Sequence, residues 1–293
     1  MYTLRMSRFA DAGKFPFALH EASDQQAGFP MHAHDYTELA IVRSGSGTHV
    51  TEEEEYPLNA GDVFVIEKGQ SHCYRNINKL KVSNLLLDLS RLPLPLEYLA
   101  ELSGFHALFS VEPMLRKKHG FKSRLKLSAD QLGKVNLMLS RLRTELWTRN
   151  PGYKVFAIGI LTELLAFLSN CYVNRQHEGE SLEVARLGEV IEKIERDFNA
   201  EISLDELASI AHMSKRTLLR YFNSVFGVSP ISYLLKVRLD NACSMLLNTD
   251  RQIDEIATES GFLDGNYFSR HFKKAKGMSP RLFRNRFKQA NVP

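Results

Sequence analysis

"LDELASIAHMSKRTLLRYFNSVFGVSP", residues 204–230, recurs as "IDEIATESGFLDGNYFSRHFKKAKGMSP", residues 253–280. Asp205, Glu206 and Ala208 match Asp254, Glu255 and Ala257 at an offset of 49, and Phe222, Gly227, Ser229 and Pro230 match Phe272, Gly277, Ser279 and Pro280 at 50. The second copy therefore carries one extra residue in its central turn. Self-similarity at a fixed offset marks one supersecondary unit used twice. In the first copy Ser203 and Glu206 form a capping box, and Leu204, Leu207, Ala208 and Ala211 make the apolar stripe of a helix. After a turn at His212 and Met213, Ser214 caps a second helix whose Leu218, Phe222 and Val225 face inward. Gly227 ends that helix, and Ser229 with Pro230 opens a third, long enough to link the copies. In the second copy Gly261 suits the turn and Asp264 the cap.

Two helix pairs could form a plain bundle, so the outward faces decide the reading. Residues 214–238 hold Lys215, Arg216, Arg220, Lys236 and Arg238 without an acid, and residues 265–288 hold eight Lys or Arg, again without one. The net charge of the chain is only +4, so this is a matter of distribution. A bundle has no reason to keep carboxylates off those faces, whereas DNA phosphates do. The units read as helix-turn-helix pairs, each offering its second helix to a major groove.

Residues 184–288, and above all "GFLDGNYFSRHFKKAKGMSPRLFR" (261–284), resemble the DNA-binding domain of AraC/XylS-type transcription regulators. The resemblance implies base reading by Arg216, Leu219 and Arg220 in the first unit and by Asn266, Ser269 and Arg270 in the second. Lys215, Asn223, Lys273 and Lys274 complete the expected DNA-binding set. Gly265 departs from the family, which often has a polar residue there.

Upstream, "FPMHAHDYTELAIVRSGSG" (29–47) spaces His32, His34, Tyr36 and Glu38 two apart, which puts them on one face of an extended chain. "TELAIVRSGSGTHV" reads as strand, glycine turn, strand, and "YPLNAGDVFVIEKGQSHCY" repeats this with Gly61 and Gly69 as turn points. Glu52 to Glu55 would tip a hairpin, and residues 63–66 would form a strand buried on both sides. His32, His34, Glu38 and Gly45 with Gly61, Gly69, His72 and Asn76 resemble the two motifs of a cupin barrel. Glu67 replaces the usual proline, and Gln26 the usual glycine. The resemblance implies a pocket for a small effector, a sugar or related metabolite, lined by His32, His34, Tyr36, Glu38, His72 and Tyr74. A divalent metal on His32, His34, Glu38 and His72 stays open beside it, as does a structural role. Neutral imidazoles and a carboxyl group suit sugar hydroxyls. No further acid, base or nucleophile is placed by the sequence, so the chain is read as no enzyme, and no cofactor is expected.

Between these parts, 128–149 and 152–172 read as two helices broken at Asn150, Pro151 and Gly152, followed by a polar linker, 174–181. The second, "YKVFAIGILTELLAFLSNCYV", is long enough to cross a bilayer, but Lys154 and Glu163 interrupt it. It carries Phe156, Ile160, Leu164, Phe167 and Cys171 on one face and Val155, Leu161, Leu165 and Leu168 on another. Such a helix suits a dimer interface or an intrachain core. Three dispersed cysteines and an N-terminus without a signal-peptide pattern fit a reducing cytoplasm.

The expected architecture is α+β and multidomain. It comprises a cupin-like β-barrel over 1–125, a helical dimerisation hairpin and linker over 126–181, and an all-α domain with two helix-turn-helix units over 182–293. The expected partners are double-stranded promoter DNA, a small carbohydrate-type effector, a second copy of the chain and, for an activator, RNA polymerase; no membrane is expected.

Overall fold

The apolar runs between residues 37 and 87 become strands where turn glycines delimit them, and those runs dominate the first half of the chain. The computed structural model describes residues 2–9, 15–22, 30–119, 124–173 and 180–288, and divides into two compact units, Met1–Gly188 and Glu189–Pro293. Gln26 and residues 174–179 of the expected linker lie outside the described residues. A sheet-rich first unit and an all-helical second unit agree with the α+β reading.

In the first unit an eight-stranded sheet has the path β1 (Tyr2–Leu4), β3 (His32–His34), β7 (His72–Leu87), β4 (Thr37–Thr51), β6 (Asp62–Ile66) and β8 (Leu125–Lys126). Off that path, β2 (Phe17–Ala22) pairs with β7 and β5 (Glu55–Asn59) with β4. The long antiparallel ribbon of β4 and β7 runs from Thr37 opposite Leu87 to Thr51 opposite His72, and β3 then pairs His32 with His72. The far end of the ribbon is thereby returned to the residues just before its start, as in a barrel. Ala40, Val42, Leu58, Phe64, Ile66, Leu80 and Val82 cluster in its interior. Burying each of the large ones contributes about 1.5–3 kcal/mol.

The glycines at 45 and 47 do not end a strand as expected. β4 is one strand of 15 residues through both of them. Gly45 has φ 75°, and a Cβ there would stand 2.2 Å from the carbonyl oxygen of Lys79. Pairing with β7 slips three times between Val42 and Thr48. The glycines therefore bend a continuous strand by bulging it. The other turns are as expected: Thr51 N donates to Glu54 O at the acidic tip, and β6 is buried throughout.

Helices α1 (Leu96–Leu99), α2 (Ser103–His106) and α3 (Glu112–His119) follow, α2 and α3 joined by a π turn over Ala107–Val111. The hairpin α4 (Ala129–Thr148) and α5 (Tyr153–Val173) has the expected bounds, with Ser128 and Gln131 forming a capping box. The α5 helix is long and apolar enough to cross a membrane. Its Leu161, Leu164, Leu165 and Leu168 are nevertheless fully buried within the unit, and Glu163 reaches Arg141 of α4 at 3.3 Å. Of the two expected apolar faces, only Val155 and Phe156 near the start are widely exposed, at 76% and 60%.

In the second unit α6 (Glu180–Arg196) leads into α7 (Leu204–Ile210), α8 (Lys215–Phe226), α9 (Pro230–Asn248), α10 (Ile253–Glu259), α11 (Gly265–Lys276) and α12 (Pro280–Lys288). The caps fall where the residues place them. Ser214 accepts from Thr217 N, Ser229 from Ser232 N and Asp264 from Asn266 N, while Gly227 and Gly277 end their helices at positive φ. At the Ser203 cap only half of the expected box forms. Ser203 Oγ accepts from Glu206 N, but the Glu206 carboxylate is drawn to Lys193 Nζ at 2.7 Å, where it gains an ion pair. His212 (φ 50°) and Gly261 (φ 81°) are the same left-handed turn residue in the two copies. Arg238, in mid α9, donates to the carbonyls of Phe198 and Ala200, both at 2.7 Å, directly below Gly261.

Candidate functional site

Amphipathic helices expose what they do not bury, and the buried residues of α8 and α11 are apolar: Leu218, Phe222 and Val225 in one, Phe268 and Phe272 in the other. Lys215, Arg216, Leu219, Arg220 and Asn223 then share one open face of α8. Asn266, Arg270, Lys273 and Lys274 are exposed along α11, with Ser269 half-buried beside them and the Arg270 guanidinium 5.9 Å from the Tyr267 ring. Lys215 is held by Asp205 at 2.6 Å. At the matching place in the second copy the Asp254 carboxylate occupies the space over Gly265, 2.5 Å from where a Cβ would be.

Not every cation of the acid-free blocks faces outward. Arg238 is spent on backbone carbonyls, Lys276 pairs with Asp240 at 2.8 Å, Arg284 donates to Arg251 O at 2.7 Å, and Lys288 binds Thr249 O and Asp250. Those four hold the unit together. Their periodicity does not reveal it, because their partners lie far away in sequence.

In the first unit, closure of the ribbon gathers the predicted polar residues. His34 Nε2 lies 3.9 Å from Glu38 Oε2, and ligand atoms of His34, Glu38 and His72 lie within 4.8 Å of one another, all buried. The His32 and His72 rings are 4.5 Å apart, and His34 stacks on Tyr36 at 4.6 Å. Backbone carbonyls orient two of the imidazoles: His34 Nδ1 lies 2.6 Å from Tyr36 O, and His32 Nδ1 3.1 Å from Pro30 O. His34 Nε2, Glu38 Oε1, His72 Nε2 and the Tyr74 hydroxyl are buried with no hydrogen-bond partner among the described residues. One group was not expected from the sequence: His49, buried, with Nε2 3.3 Å from His72 Nδ1. Its odd number put it on the wrong face of an unbroken alternation; the bulges restore it to the right one.

Burial sets the charge of the cluster. It lowers the pKa of His34 to about 4, drives His49 and His72 well below the usual imidazole value, and lowers His32. It raises Glu38 to about 8 and pushes the Tyr36 and Tyr74 hydroxyls up. At neutral pH the imidazoles are therefore neutral and Glu38 is largely a carboxylic acid, so the site both donates and accepts without net charge. His32, Tyr36, Glu38, His72 and Tyr74, with Phe9, His20 and Leu86, line a cavity of about 60 Å³. That holds about two waters.

The AraC-like ligand binding domain model matches residues 14–140, and the Helix-turn-helix domain model residues 207–286. The chain is 30% identical over 286 residues to the HTH-type transcriptional activator RhaS of Enterobacter sp. (strain 638), covering 97% of each chain. It is 26% identical over 267 residues to the HTH-type transcriptional activator RhaR of Mannheimia succiniciproducens, covering 91% of each. Among solved structures, the C-terminal domain of the response regulator yesN from Fusobacterium nucleatum is 32% identical, with 32% of this chain and 93% of that one covered and a TM-score of 0.32. With a cupin-like ligand-binding unit ahead of paired helix-turn-helix units, and a relative at this identity along nearly its whole length, the chain belongs to the AraC/XylS family of transcription regulators.

Proposed function

We propose that the protein is a cytoplasmic, non-enzymatic transcription activator. In this reading residues 1–125 sense a small carbohydrate-type effector, 126–181 supply a dimer element and linker, and 182–293 read promoter DNA. The single observation that carries the sensing role is the buried cluster of neutral donors and acceptors, four of whose polar atoms lack partners among the described residues. Such atoms cost about 1–3 kcal/mol each until something satisfies them. Sugar hydroxyls do so, with His32, His34, Tyr36, Glu38, His72 and Tyr74 as contacts. The cavity of about 60 Å³ is too small for a sugar as it stands, so binding requires its lining to open further.

In the reader, Arg216, Leu219 and Arg220 meet bases in one major groove and Asn266, Ser269 and Arg270 in the next, with Lys215, Asn223, Lys273 and Lys274 supporting contacts along the backbone. Activation implies contact with RNA polymerase, and the exposed Val155 and Phe156 favour a homodimer through the start of α5. The test is a monosaccharide panel on full-length protein, read by thermal shift and by affinity for promoter fragments. His34→Ala and His72→Ala should abolish the response and leave DNA affinity nearly unchanged, because the reader is a separate unit. A response untouched by both changes would sink the assignment.

One observation favours a second reading. One ligand atom each of His34, Glu38 and His72 lies within 4.8 Å of the others, close enough to share a divalent metal once Glu38 loses its proton. Protein that carries close to one metal per chain, and holds it progressively less well as the pH falls below about 8 and Glu38 takes up its proton, would establish it.

A further inference from the structure

Outside the barrel interior, the first unit has a larger opening. A crevice of about 330 Å³ lies between β2 and the α4–α5 hairpin, in the size range of small-molecule sites. Its wall is aromatic: Phe15 packs edge-on against Phe17 and Tyr153, with ring centroids 5.9 and 6.1 Å apart, and Trp147 stands beside them 87% exposed. An indole left in water next to an aromatic wall is a stacking surface without its partner.

The rim is cationic. Arg143 and Arg149 both line the crevice, and the Lys154 ammonium lies 5.8 Å from the Phe15 ring. Glu21, the acid of the described lining, is already held by Arg43 at 2.7 Å and by Arg143 at 3.3 Å. Arg149 ends α4 at φ 51°, and its Nε makes only a long contact, 3.4 Å, to Leu146 O. A cationic visitor would meet an acid already in use, Glu21. An anionic one would meet Arg149 and could displace a weak bond with a charge-assisted one.

We propose that this crevice is a second ligand site, for a small carboxylate with a planar aromatic body, its ring against Phe15, Tyr153 and Trp147 and its carboxylate on Arg149. It adjoins the barrel cavity, with which it shares Phe9, but Arg149, Trp147 and Tyr153 line the crevice and not that cavity. A bound acid would bridge the barrel strand β2 and the hairpin, so its occupancy bears on how the sensor unit holds the hairpin.

Trp147 is the single tryptophan of the chain, so its emission reports on this wall alone. Full-length protein titrated with phenylacetate should show a saturable change in that emission, and phenethylamine, with the charge reversed, should show none. Arg149→Ala should weaken phenylacetate at least about tenfold and Arg149→Lys less, as a charge-assisted bond requires. Arg149 is exposed, so both variants should keep the wild-type circular dichroism spectrum. No saturable change at millimolar phenylacetate, an equal response to the amine, or undiminished binding by Arg149→Ala would overturn the proposal. So would an emission change that tracks protein concentration instead of phenylacetate, which would place a second copy of the chain on Trp147.

Discussion

Replacing Glu38 by Gln isolates the buried carboxyl group by its pH signature. Glu38 titrates near 8 in the folded chain against an ordinary value of 4.5, because burial penalises its charged form. A raised folded pKa gives stability that is fully present below 4.5 and lost as pH rises through 8. The imidazoles work the other way: with folded values lowered, their contribution is present above 6.5 and lost as pH falls toward about 4 for His34. Between pH 6.5 and 8 Glu38 therefore stands apart from the histidines around it. Over that window the unfolded carboxylate stays ionised while the folded one goes from almost fully to half protonated, and the integrated loss is roughly 1.5 kcal/mol. Full-length protein treated with chelator is unfolded in urea and followed by Trp147 emission, which reports on the first unit. Wild type should lose that stability from pH 6.5 to 8 relative to Glu38→Gln. Parallel profiles for the two proteins would show that Glu38 is ionised in the folded state and would refute the neutral-cluster reasoning.

Arg220→Ala and Arg270→Ala should each relax discrimination at a few base pairs, by about 1–3 kcal/mol if each grips a guanine edge, as judged by competition between specific and random DNA. Lys273→Ala or Lys274→Ala should weaken both DNAs alike and flatten the salt dependence, measured by anisotropy at several salt concentrations. Leu165→Glu should unfold the first unit, since Leu165 is fully buried within one chain, whereas Phe156→Glu should leave the fold intact and shift sedimentation toward monomer. If the Leu165 variant folds normally, the packing of α5 described above is wrong. Gly45→Ala should cost about 3 kcal/mol or more, from positive φ and a backbone clash together, with loss of thermal stability in the first unit.

The second unit was the more legible from sequence because its signals are local. A cap and its helix lie within four residues, as at Ser214 and Asp264, and a repeat needs only a second copy to be seen. What stayed hidden there was non-local: Glu206 leaving its cap for Lys193, and Arg238 bracing Phe198 and Ala200 across some forty residues of chain. In the barrel, the short spacing of His32, His34 and Glu38 exposed one half of the cluster, and the resemblance to a cupin supplied His72. His49 could not be reached by alternation, since a strand with bulges near Gly45 changes face without changing composition. Likewise no pattern in α5 separates a helix buried by its own chain from one buried by another copy.

The helix α9, with Arg238 pinned under the second turn, is a ruler about 28 Å long between the two reading helices. Its consequence falls on the promoter more than on the protein. A base substitution within either half of the operator removes one contact and weakens regulation by degrees. A single inserted or deleted base pair between the halves instead rotates one of them about a tenth of a turn away from its helix, and a rigid ruler has no slack to follow. On the proposed reading of two half-sites by α8 and α11, operators should drift in letters but not in spacing, and regulatory sites in a genome should be found by interval before they are found by sequence.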